Sequence, residues 1–79
     1  MTQQPIGIIG AMKMEVDAIL AAMEGKRQEV HGSMAFTAGT LSGVPCVAVQ
    51  CSPGKVNAAL CTQALVDFFS PRLVLNLGV

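Results

Sequence analysis

The apolar positions of this chain follow two periods in turn. Pro5 to Gly10 is a continuous apolar run holding Ile6, Ile8 and Ile9. Its length and β-branching predict a strand buried on both faces. From Met12 the spacing becomes helical. Met12, Val16, Ile19, Leu20 and Met23 form one stripe, with Gly25 as the expected stop. Lys26 and Arg27 then fall near the negative end of the helix dipole. Residues 29 to 50 have β character: "MAFTAGTL" and "VPCVAVQ" flank Ser42-Gly43, which suits a tight hairpin turn. Pro45 is tolerable near the start of a strand or on an edge.

"CSPGKVNAALCTQALVDFF" restores the helical period. Ser52 is a good N-cap and Pro53 fits the first helical position. Val56, Ala59, Leu60, Ala64, Leu65 and Phe68 are expected on the apolar side, and Ser70-Pro71 ends the helix. "RLVLNLGV" reads as another buried strand. Strand, helix, hairpin strands, helix and strand make an α/β fold: a mixed, mostly parallel sheet with flanking helices. No repeat, low-complexity tract or linker divides residues 1–79. The final strand runs to Val79 without a polar tail, where a terminal carboxylate would sit against an apolar layer at a cost. The expectation is an incomplete N-terminal piece of a larger domain.

Composition sharpens that expectation. The chain has 79 residues, 52% hydrophobic and only 13% charged, with mean hydropathy +0.56. A short chain has much surface for its volume and normally needs polar residues to cover it. No apolar run approaches the ~20 residues that span a bilayer, and the N-terminus lacks the basic and apolar regions of a signal peptide. Five basic residues balance five acidic ones, and Phe is the only aromatic type among Phe, Trp and Tyr, so neither a basic patch nor a base-stacking platform points to nucleic acid. Cys46, Cys51 and Cys61 match no metal box, with His31 the only other strong soft ligand. They read as reduced thiols in a cytoplasmic interior, with no metal or other cofactor implied.

Gly10-Ala11-Met12, Ser52-Pro53-Gly54 and Gly78-Val79 each follow an apolar strand. If those strands are parallel, the three junctions meet at one sheet edge, where α/β proteins bind small ligands. A dinucleotide site is excluded because "GIIGAM" lacks the G-x-G-x-x-G spacing, and a phosphate loop because Val56 follows Lys55 where Ser or Thr is required. Glu15 lies roughly 80° round from the centre of the first helical stripe, and Asp17 farther out. Two readings of Glu15 stand side by side. It can face the pocket as an ionised general base. Alternatively it simply suits the positive end of the helix dipole. Met12 is likewise either a core residue of the stripe or a ligand contact.

"IGIIGAMKMEV", "GKVNAALCTQ" and "LNLG", in that order and over essentially the whole chain, resemble the N-terminal part of 5'-methylthioadenosine/S-adenosylhomocysteine nucleosidases. These belong to the purine nucleoside and uridine phosphorylase superfamily. The resemblance implies hydrolysis of the N-glycosidic bond to adenine and a thio-ribose, in a homodimer without cofactors. It implies that Glu15 is the general base for water. It also implies that Met12 and Pro53 face the ribose and alkylthio group, with Gly10 and Gly54 letting backbone approach. Pro53 stands where the family often has an aliphatic residue, and Val79 where some members carry Ser. Cys51 is structural on this resemblance. The acid that protonates the purine belongs to a C-terminal portion, so residues 1–79 alone are expected to be inactive. The alternatives are another nucleoside hydrolase of the superfamily, such as one acting on futalosine, a nucleoside phosphorylase, or a small non-enzymatic α/β interaction module.

Overall fold

The computed structural model describes residues 4–10, 13–31, 34–50 and 55–77, the side chains of 55–58 excepted. The elements are β1 (Ile6–Gly10), α1 (Lys13–Ala22), β2 (Glu24–His31), β3 (Met34–Leu41), β4 (Val44–Gln50), α2 (Lys55–Phe69) and β5 (Leu73–Leu77). They form one sheet in the order β2-β3-β4-β1-β5. β1 lies between β4 and β5 and is parallel to both, while β3 is antiparallel to β2 and to β4. Four strands thus share one direction and β3 alone opposes them, which is the mixed, mostly parallel sheet expected. The Ser42-Gly43 turn also forms as expected. Leu41 pairs with Val44, and both turn residues have positive φ (50° and 80°), the geometry of a type I′ hairpin.

The two helices are seated on β1 from opposite faces. Successive strand residues point to opposite sides, so Gly7 and Ile9 face α2 while Ile8 and Gly10 face α1. On the α2 side, Ile9, Phe36, Val47 and Val49 bury with Cys61 and Leu65. On the α1 side, Ile8, Cys46 and Ala48 bury with Met23, joined by half-buried Ile19 and Leu20. The glycines of "GIIG" are what let the helices close on the strand. A Cβ on Gly7 would run into Leu65, and one on Gly10 into Val16. Their three-residue spacing places one on each face. The glycines that fail the dinucleotide-binding spacing are here a packing device.

Three expectations are corrected. First, α1 ends at Ala22, where the Met23 amide donates to the carbonyls of Ile19 (3.1 Å) and Leu20 (3.2 Å), and Met23 turns into the core. Gly25 is not the helix stop. With φ +62° it sits where β2 carries an extra residue between Glu24 and Arg27, a β-bulge opposite Gly39. Gly39 is bare because a Cβ there would lie 2.8 Å from the Glu24 carbonyl oxygen.

Second, Lys26 and Arg27 belong to a strand, and β structure starts at Glu24 rather than 29. β2 is an edge strand paired only to β3, so it shows no apolar alternation to read. Its charges and bulge are devices that discourage pairing with another chain.

Third, the buried side of α2 is rotated from the expected stripe. Cys61 and Leu65 are buried, with Ala64 and Phe69 packed beside them. Ala59 is exposed, as are Leu60 at 56% and Phe68 at 55%. Apolar residues go most of the way round this helix, so periodicity alone does not choose a face. The notch at Gly7 chooses it. α2 closes at Ser70, whose amide donates to Val66 O at 3.1 Å, and whose φ of 46° turns the chain into Pro71.

Candidate active site

β1, β4 and β5 end level with one another. Gly10 is in register with Gln50 on one side and Leu77 on the other. The strands that precede the three junctions singled out in the sequence therefore end along a single edge, the position at which open α/β sheets hold ligands. Met12, Pro53, Gly54 and Val79, with Cys51, lie beyond the described residues.

Glu15 rises from this edge in the first turn of α1. The residue as a whole is half-buried, but Oε1 is cut off from solvent and has no hydrogen-bond partner among the described residues. A carboxylate oxygen in that state is costly, so one left open in a native site calls for a partner from outside the described residues. The helix N-terminus supplies partial positive charge to an ionised Glu15. No side-chain cation does so from the same turn. Lys13 turns outward and bonds Asp17 Oδ2 at 2.7 Å, both side chains well exposed. That hydrogen bond, with the Asp17 charge behind it, holds the Lys13 ammonium above its usual pKa. The outward placement of Asp17 matches the helical spacing read from the sequence.

Gly10 is placed differently from the expectation that its bareness serves a ligand. The space where its side chain would stand is filled by Val16. The strand end itself still lies on the level edge. The Gly10–Val16 contact was missed in the sequence, although two signals were there: a glycine closing a buried strand, and a β-branched residue six positions on.

The other chemistry-bearing residues lie elsewhere. Asp67 is exposed on α2, accepts from Gln63 Nε2 at 2.9 Å, and stands on the opposite face of the sheet from α1. His31 is a packing residue: it stacks on Phe68 at 3.9 Å and 13°, with Phe36 and Phe69 edge-on. Its Nε2 lies 3.4 Å from Glu29 Oε1 without forming an aligned hydrogen bond. A cavity of about 440 Å³ opens beside Arg27, Glu29, Thr40, Phe68 and Phe69, and Glu15 does not line it. Cys46 and Cys61 are free and buried in opposite faces of the core.

Comparison with known proteins agrees with the fold. The 5'-methylthioadenosine/S-adenosylhomocysteine nucleosidase of Geobacillus kaustophilus is 44% identical over 71 residues, which is 90% of this chain and 30% of that protein. The nucleosidase of the same name from Colwellia psychrerythraea, solved with adenine, superposes with TM-score 0.90 at 37% identity, over 95% of this chain and 31% of that one. The Neisseria meningitidis enzyme, solved with methylthio-immucillin-A, gives TM-score 0.90 at 30% identity, over 96% and 33%. The chain thus spans about a third of the length of the relatives it matches. A family model described as the phosphorylase superfamily matches residues 5–79. With the sheet order, the level strand ends and this match together, the chain belongs to the phosphorylase superfamily.

Proposed function

We propose that the whole protein containing these residues hydrolyses the N-glycosidic bond of 5'-methylthioadenosine and S-adenosylhomocysteine, with Glu15 as the general base. The observation that carries this is the buried Oε1 of Glu15, without a hydrogen-bond partner among the described residues, beside the level ends of β1, β4 and β5. Such an oxygen takes a proton from water as the water adds to the anomeric carbon. General-base assistance of this kind contributes roughly 10²–10⁴-fold.

Glu15 also favours water over phosphate as the nucleophile. Two like charges 4 Å apart repel by about 4 kcal/mol at the effective dielectric of a partly shielded site, which is close to a thousandfold in occupancy. Lys13, already bound to Asp17, does not offset that repulsion. Met12, Pro53, Gly54 and Val79, with the strand end at Gly10, form the ribose and alkylthio side of the pocket. The acid that protonates adenine comes from outside residues 1–79, since Asp67 is exposed on the other face of the sheet. The whole protein is then a cytoplasmic homodimer serving methionine salvage, and residues 1–79 are one part of a single nucleosidase domain. No described helix is long and apolar enough to cross a membrane.

The test is adenine release by the whole protein in phosphate-free buffer. Release from methylthioadenosine at a rate indifferent to added phosphate is expected. A rate proportional to phosphate, with a sugar phosphate as product, would make it a phosphorylase. Release of base from futalosine alone would move it to another hydrolase of the superfamily.

A further inference from the structure

We propose that Val16, seated on Gly10, is the positioning residue that aims Glu15. This rests on the reading of Glu15 as the base. α1 has ten residues, and Val16 is its one buried side chain, 5% exposed. Ile19 and Leu20 are half-buried and only steady the later turns. Glu15 has no hydrogen bond of its own to fix Oε1 among the described residues. Its direction is therefore inherited from the helix. Consecutive helical residues are ~100° apart, so whatever fixes the azimuth of Val16 fixes that of Glu15.

The seat is tight and cannot yield locally. A Cβ on residue 10 would collide with Val16 Cγ2, with Val16 Cβ at 3.8 Å and its backbone N at 3.9 Å. Valine in a helix has essentially one χ1 rotamer, so the methyl cannot swing aside. The helix must lift or roll instead. A displacement of about 1 Å at a reacting group costs on the order of 10²-fold.

The experiment is a double-mutant cycle in the whole protein, with adenine-release kinetics and a crystal structure of each variant. Gly10→Ala is expected to lower kcat roughly 10–10²-fold while KM changes far less. Val16→Ala should also lower kcat, because the helix loses its seat. Gly10→Ala/Val16→Ala should exceed either single variant, since the new methyl occupies space that the valine vacates. The structures should show the Glu15 carboxylate displaced in both single variants and returned in the double.

A double variant no better than Gly10→Ala would overturn the proposal and leave Gly10 as a ligand contact. So would a Glu15 carboxylate unmoved in the Gly10→Ala crystal. If the wild type releases no adenine, the function proposed above fails, and the crystal structures still decide the positioning. If Gly10→Ala does not fold, recovery of folding and turnover in the double variant supports the seat, and failure to recover them overturns it.

Discussion

Leu65 of α2 stands directly on Gly7 of β1. A Cβ at Gly7 would meet Leu65 Cδ2, with Leu65 Cγ at 3.1 Å and Pro71 Cβ at 3.5 Å. Leu65 is fully buried among Ile9, Phe36 and Val47, so it has nowhere to retreat. Gly7→Ala in the whole protein should therefore destabilise it by about 1–3 kcal/mol, the usual range for an overpacked core. Chemical denaturation measures this. A midpoint equal to the wild type would show that α2 can slide without cost.

That contact also explains which parts of the fold were legible in the sequence. β1 and β4 were readable because strands buried on both faces are continuous apolar runs bounded by turn residues. β5 was readable from the same kind of run, but it is not the buried strand expected: it lies at the sheet edge with Leu73 and Leu75 exposed. The Ser42-Gly43 turn was readable because its chemistry is local. β2 was hidden because an edge strand with one partner needs no apolar alternation, and "EGKRQEVH" has none. The facing of α2 was hidden because Leu60, Val66 and Phe68 are as apolar as Cys61 and Leu65, and only the Gly7 notch distinguishes them. At the site, the helical spacing placed Glu15 near the edge of the stripe and Asp17 farther out. The sequence could not show that Oε1 lacks a partner among the described residues, or that Val16 fills the space above Gly10, because both depend on how closely α1 approaches the sheet.

The Lys13–Asp17 pair faces away from the site, so Asp17→Asn should leave turnover unchanged. Its effect on stability has a defined sign. The pair raises the pKa of Lys13 in the folded state, so its contribution is fully present below the ordinary value of 10.5 and fades as pH climbs past it. Melting curves of wild type and Asp17→Asn should differ by a constant amount from neutral pH upward and converge only in strong alkali. Convergence already at neutral pH would mean that this exposed pair contributes nothing measurable to stability.

Residues 1–79 expressed alone should associate. Leu60, Val66 and Phe68 on α2 and Leu73 and Leu75 on β5 are all exposed. β5 is an edge strand whose residues "LVLNL" carry no charge, unlike β2 at the other edge. An uncharged apolar edge beside apolar side chains invites pairing with other chains. Each large side chain left uncovered forfeits roughly 1.5–3 kcal/mol, against a typical total stability of about 5–15 kcal/mol. Size-exclusion chromatography should show oligomers or aggregates, and no adenine should be released from methylthioadenosine. A monomer with a sharp melt would show that this surface is tolerated as it stands.

The most direct measurement is the turnover of Glu15→Gln in the whole protein. Glutamine keeps the size and most of the hydrogen bonding of Glu15 but cannot take a proton from water. With an unchanged melting temperature, adenine release should fall by at least ~10²-fold. Near-normal release from a well-folded Glu15→Gln protein would contradict the account and return Glu15 to a helix-dipole partner.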